Sequence, residues 1–238
     1  MRDSLDTVFE MSKLVKYSPR RDTILEQLKR DMAPDTPGFR VLCPTRWTVR
    51  ALSLNSVLEN YSVLQSLWET CYECTKDSEI RSRINGVKTQ MQSFDFLFGV
   101  SLGYEILRHT DNLSRTLQKK DLSAAEGQHI TELSLTTLRE MRNGDSFDTF
   151  WESLNNKLYD LDVSKPRLPR RRKMPKRFET GNAPPEFARS EKELYRQMYY
   201  EALDLVMSCV KERFDQPGFR VYRHLEDVPI CQFNCYLQ

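Results

Sequence analysis

Arg46 and Trp47 stand side by side in the stretch Cys43-Pro-Thr-Arg-Trp-Thr-Val-Arg-Ala-Leu-Ser-Leu54, with Arg50 one turn further on. A guanidinium next to the largest aromatic ring is suited to an anionic, stackable partner. Pro44 stops whatever precedes it, and Thr45 can cap the first free amides of the next helix. From Trp47 the apolar positions Trp47, Ala51, Leu54, Leu58 and Tyr61 recur in steps of four and three, which is one face of a helix. The pair has a plainer reading too, with Trp47 as the first core anchor of its helix and Arg46 as a surface charge. A second candidate is Pro169-Arg-Arg-Arg-Lys-Met-Pro-Lys-Arg177. Its cations Arg170, Arg171, Arg172, Lys173, Lys176 and Arg177 suit sequence-independent phosphate contact or nuclear import, or else form a solvated charge cluster. Met174 and Phe178 are too few to make a stacking groove among them.

Other chemistries find less support. Cys71-Tyr-Glu-Cys74 has the spacing of half a zinc site, but no second pair faces it, and His109, His129 and His224 are isolated from one another. The expectation is buried thiols, no metal and no cofactor. Glycine-rich phosphate loops, Gly-x-Ser-x-Gly elbows and His-Glu-x-x-His motifs do not occur. Ser123 and Gly127-Gln-His129 are close in sequence, yet one histidine in an amphipathic helix assigns no nucleophile, base and orienter. Asp3, Asp6, Asp22, Asp31 and Asp35 fall in helical patterns or loops, not after the apolar strand runs that carry metal-binding carboxylates in nucleases. The sequence therefore predicts a protein that is not an enzyme.

The elements that must position these residues are helices. The chain has 238 residues, long enough for a sizeable core, with only 8 Gly and 11 Pro, too few for a turn-rich sandwich. Apolar residues make up 39% and charged residues 29%, and no apolar run approaches the ~20 residues that span a bilayer. The start, Met1-Arg-Asp-Ser-Leu-Asp6, does not read as a signal peptide, so the six cysteines are expected to be free thiols in the cytosol or nucleus. The net charge of +2 hides an asymmetry: eight of 36 basic residues lie in 165–177, and the remaining 28 face 34 acidic ones, a balance of −6. Such a segment attracts polyanions, while the rest does not wrap DNA broadly.

Apolar spacing predicts an all-α fold, an irregular multi-helix bundle with a long basic Pro-rich loop and a returning C-terminal helix. The helical body is expected over 1–162, the basic linker over 163–189, and the returning helix with a frayed end over 190–238. Ser18-Pro19 opens one helix, and a long helix or helix pair runs from Arg46 to about Cys74. The stretch 94–107 is apolar on nearly every side. Asp121 is expected to cap a helix that Gly144 ends. Phe147, Phe150, Trp151, Leu154, Leu158 and Leu161 give the cleanest stripe, read as core. Ser190-Glu-Lys-Glu193 is a capping box ahead of the apolar set Leu194, Met198, Ala202, Leu205, Cys209 and Val210. Only Phe39-Arg-Val-Leu-Cys43 resembles a strand. Pro-Gly-Phe-Arg-Val occurs twice, at 37–41 and 217–221, as a shared way of leaving a helix.

Pro37-Gly-Phe-Arg-Val-Leu-Cys-Pro-Thr-Arg-Trp-Thr-Val-Arg50 resembles hAT-superfamily transposases and their host-adopted relatives, in particular zinc-finger MYM-type-like proteins. Tyr17-Ser-Pro-Arg-Arg21, Asp111-Asn-Leu-Ser-Arg-Thr-Leu-Gln118 and Tyr199-Tyr-Glu-Ala-Leu-Asp204 with Arg213-Phe214 are similar to the same group, in the same order. The resemblance covers the helical insertion region. In the family, two catalytic carboxylates and a Cys-x-x-His motif precede Thr-Arg-Trp, and a third carboxylate and a dimerisation segment come after the insertion. It implies that Trp47 stacks on an unpaired base while DNA ends are hairpinned. The expectation is a non-catalytic, transposon-derived module, nuclear (alternatively cytoplasmic), that contacts DNA, protein partners or a second copy, with no membrane. Alternatives are a fragment of an active transposase that needs flanking segments, and a relic reading frame without selected activity.

Overall fold

The computed structural model describes residues 2–42, 49–119, 123–169 and 188–214. Those residues form nine helices and no strand: α1 (Arg2–Lys16), α2 (Pro19–Met32), α3 (Arg50–Glu59), α4 (Tyr61–Cys74), α5 (Ser78–Met91), α6 (Phe94–Leu117), α7 (Ala124–Met141), α8 (Gly144–Asp160) and α9 (Glu191–Phe214). The all-α architecture, a multi-helix bundle, is therefore as the apolar spacing predicts.

Each start has a local cause. The Ser18, Ser93 and Asn143 side chains accept the amides of Arg21, Phe96 and Ser146, and Asp77 accepts those of Glu79 and Ile80. Ser123 and Glu126 form a reciprocal box at α7, and Ser190 accepts the Glu193 amide at α9. Two boundaries differ from expectation. The cap of α7 is Ser123, while Asp121 lies outside the described residues. Gly144 does not end α7 but is the first residue of α8, because Asn143 is positioned to cap forwards, 2.7 Å from the Ser146 amide. The helical run after Arg50 is a pair, broken at Asn60. The Asn60 amide nitrogen bonds the Ser56 carbonyl (2.8 Å) and the Pro37 carbonyl (2.9 Å), drawing the chain out of helical register.

α6 is the spine of the bundle, packed against α1, α3, α5, α7 and α8. It buries Phe94, Phe96, Leu97, Phe98, Val100, Leu102 and Ile106, which explains its apolar content on nearly every side. The α8 stripe is core as expected, with Phe147, Trp151 and Leu154 buried and Phe150, Leu158 and Leu161 packed behind them.

α9 is a correction. Half of the expected apolar set is turned outwards, with Met198 36% and Leu205 62% exposed and Cys209 exposed as well, while Ala202 and Val210 pack half-buried against the core. The buried face is Tyr195, Tyr199, Leu203 and Met207. The two tyrosines win because the α6–α8 contact offers an aromatic bed. Tyr195 lies 4.8 Å from both Phe94 and Phe98, and Tyr199 lies 5.5 Å from Phe147 and 5.4 Å from Phe150. Each phenol finds an acceptor, Tyr195 in the Asp95 carboxylate (2.5 Å) and Tyr199 in the Met141 carbonyl (3.2 Å).

Candidate functional site around the Arg-Trp motif

Arg46 and Trp47 lie outside the described residues, as do Arg170, Arg171, Arg172, Lys173, Lys176 and Arg177. What the structure describes is how the chain is held on either side of each set.

The described part of the strand-like run before the motif, residues 39–42, joins no sheet. Its backbone is bonded by side chains of α1 and α3 instead. The Arg40 amide donates to the Ser56 hydroxyl (2.9 Å), and the Leu42 amide to the Ser12 hydroxyl (2.9 Å). The Ser12 hydroxyl itself donates to the Val8 carbonyl, and the Ser53 hydroxyl lies 3.2 Å from the Val41 carbonyl. Asn60 holds the Pro37 carbonyl. Ser12, Ser53, Ser56 and Asn60 are all buried, so these bonds replace ladder bonds in a place water cannot reach. The strap delivers Leu42, itself in the core, to the edge of the motif.

On the far side the motif runs into α3. Arg50 is the first residue of that helix and is half-buried. The next amide, Ala51, donates to the Asp111 carboxylate on α6 at 3.0 Å. This helix start has no side-chain cap of its own, and a carboxylate from another helix serves one of its free amides. Asp111 is 2% exposed. Burial pushes its carboxyl above the ordinary range, opposed by the Ala51 hydrogen bond and by the nearby Arg115 and Arg50 guanidiniums. A buried carboxyl group thus sits under the first turn of the motif helix.

The other three family-like stretches divide by role. Ser18 caps α2 and Arg21 donates through Nε to the Leu14 carbonyl (2.5 Å), tying α2 to the end of α1. Tyr199 belongs to the aromatic core. Asp204 takes the Arg142 guanidinium through both oxygens, at 2.6 and 2.9 Å, which holds its carboxyl below the usual range. Of the three, the Asp111 stretch supplies the hydrogen bond to the start of α3.

The basic segment is rooted elsewhere. Before it, the Ser164 amide donates to the Gln92 carbonyl (2.8 Å), and Gln65 and Gln92 hold Asp162. After it, the Arg189 amide donates to Glu193 (2.7 Å), just ahead of Tyr195 on Asp95. Both roots are at the N-terminal end of α6, whereas the motif enters near Asp111. From Asp95 to Asp111 the helix rises about 24 Å.

Cys71 is buried, with its thiol pushed up by burial, while Cys74 is exposed. Among the described residues no three His, Cys, Asp or Glu are grouped to hold a metal ion, and no helix is long and apolar enough to cross a membrane. No family model matches the chain, and no solved structure matches it.

Proposed function

We propose that this chain is a non-catalytic helical module derived from an hAT-type transposase, acting in the nucleus through contacts with DNA and with protein partners. The observation that carries this reading is the 3.0 Å bond from Ala51 to Asp111. It joins the start of the helix after Arg46-Trp47 to a second stretch with the same family resemblance, 60 residues away in the chain. Phosphate contact is the role for the cations, because eight of them fall in 165–177 while the rest of the chain is net acidic. The place where the basic segment is rooted and the place where the motif enters, about 24 Å apart along α6, match roughly seven base pairs of duplex at 3.4 Å each. The helices that fill the described residues give no sheet on which paired metal-binding carboxylates could stand, which favours binding over cutting.

The test is binding of the full chain to a short duplex and to the same duplex with an unpaired, flipped-out base. Log affinity should fall steeply with log salt, and neutralising Arg170, Arg171, Arg172 and Lys173 should flatten that slope by about three to four phosphate contacts. Trp47→Ala should weaken binding to the flipped base by about 1–3 kcal/mol and leave the plain duplex unchanged. Salt-independent or absent binding removes the DNA role. Specific nicking in Mg²⁺ or Mn²⁺ removes the non-catalytic one.

A further inference from the structure

α9 carries two apolar stripes, and the bundle uses one of them. Tyr195, Tyr199, Leu203 and Met207 face the core in steps of four. Leu194, Met198, Ala202, Leu205 and Cys209 form the second stripe, centred about 120° around the same helix. Met198, Leu205 and Cys209 are exposed, and Leu194 and Ala202 are half-buried. One exposed leucine needs no explanation, but this stripe repeats, with Leu194 and Met198 followed eleven residues on by Leu205 and Cys209. An eleven-residue repeat stays nearly in phase with helical turns, so the stripe runs along a 24-residue helix about 36 Å long.

The charges at its two ends say what can cover it. The first turn of α9 carries Glu191 and Glu193, and the last carries Lys211 and Arg213. Lys192 is drawn aside by Asp148 on α8 at 2.8 Å, which leaves the first turn acidic. In the last turn Glu212 alone opposes two cations, which leaves it basic. A second α9 laid parallel would set acid on acid and base on base. Laid antiparallel, it sets each acidic turn beside a basic one and opposes the helix dipoles. The apolar positions match in that same direction. About a two-fold axis beside Ala202, Met198 meets Leu205 of the second copy and Leu194 meets its Cys209. The small Ala202 lets the two backbones approach at the axis.

We infer that the outer face of α9 is a self-association surface, on which two copies of this chain pair antiparallel about an axis beside Ala202. The surface uses neither the Arg-Trp motif nor the basic segment, so it stands or falls apart from the DNA-binding reading.

The test is analytical ultracentrifugation of the full chain from about 1 μM to about 1 mM, since one helix face is at the small end of specific interfaces. Dimer should form as concentration rises. Leu205→Glu should raise the dissociation constant at least about tenfold and leave the thermal midpoint of dilute protein unchanged, because Leu205 is exposed. Glu191→Lys and Arg213→Glu should each weaken pairing about threefold, and the two together should restore it. Leu194→Cys reads the register. Its thiol lies about 22 Å from Cys209 along its own helix, too far for a disulfide, but beside Cys209 of the second copy. Oxidation should give a covalent dimer linked from 194 to 209, absent from Leu194→Cys/Cys209→Ser. A chain that stays monomeric, as it would if the stripe served a different protein, overturns the inference. So does a dimer that Leu205→Glu leaves intact, a double charge variant no tighter than its singles, or the lack of a 194–209 link.

Discussion

Asp111 is the side chain on which most depends at the level of single residues. Asp111→Ala strands the Ala51 amide in a buried place, an expected cost of about 1–3 kcal/mol in urea denaturation. Asp111→Asn keeps an oxygen for that amide and removes the charge, so the two variants separate hydrogen bond from electrostatics. Burial holds the proton on the folded carboxyl more tightly than on the unfolded one. The Asp111 contribution is therefore full below the unfolded pKa and is lost as pH rises through the folded one. The stability difference between wild type and Asp111→Asn should fall as pH rises from about 4. A difference that instead grew with pH would mean that Arg50 and Arg115 outweigh desolvation. Ser12→Ala is the corresponding probe of the strap, with an expected loss of about 1–3 kcal/mol from the unpaired Leu42 amide.

Elements show what sequence spacing reveals and what it hides. The α8 stripe is legible because large apolar residues recur at helical intervals and all turn inwards. α9 misleads because its buried face is led by tyrosines, whose rings are apolar and whose hydroxyls need distant acceptors in Asp95 and Met141. Leu203→Ala should cost about 2–5 kcal/mol, whereas Leu205→Ala should stay within about 0.5 kcal/mol, measured as changes in thermal or denaturant midpoint. Equal costs would restore the face expected from Leu194, Met198 and Leu205. The same limit governs the candidate site. Arg46-Trp47 stands out by composition, but nothing local announces that Asp111 meets the start of the helix that follows it, because the contact is made only when α3 lies on α6. The strap reads as a strand since its residues are β-prone, and spacing cannot reveal that serines on two helices will take its hydrogen bonds.

For the molecule as a whole, α6 sets the distance between the anchors of the two candidate contact segments. The basic segment is rooted at its beginning and the motif near its end, about 24 Å apart by helical rise. Contacts made from anchors so far apart should act independently. The losses in log affinity from Trp47→Ala and from neutralising the basic run should therefore add on the flipped-base duplex, and a combined loss smaller than the sum would place both on one shared patch. The serine-bonded strap has a further consequence. An extended, apolar run with open backbone groups is a template on which a neighbouring chain can add a strand and begin to aggregate. Here four such groups, the carbonyls of Pro37 and Val41 and the amides of Arg40 and Leu42, are already occupied by side chains of the same molecule. Loosening α1 or α3 would uncover that edge, so self-association on mild heating should begin there before the bundle as a whole has melted.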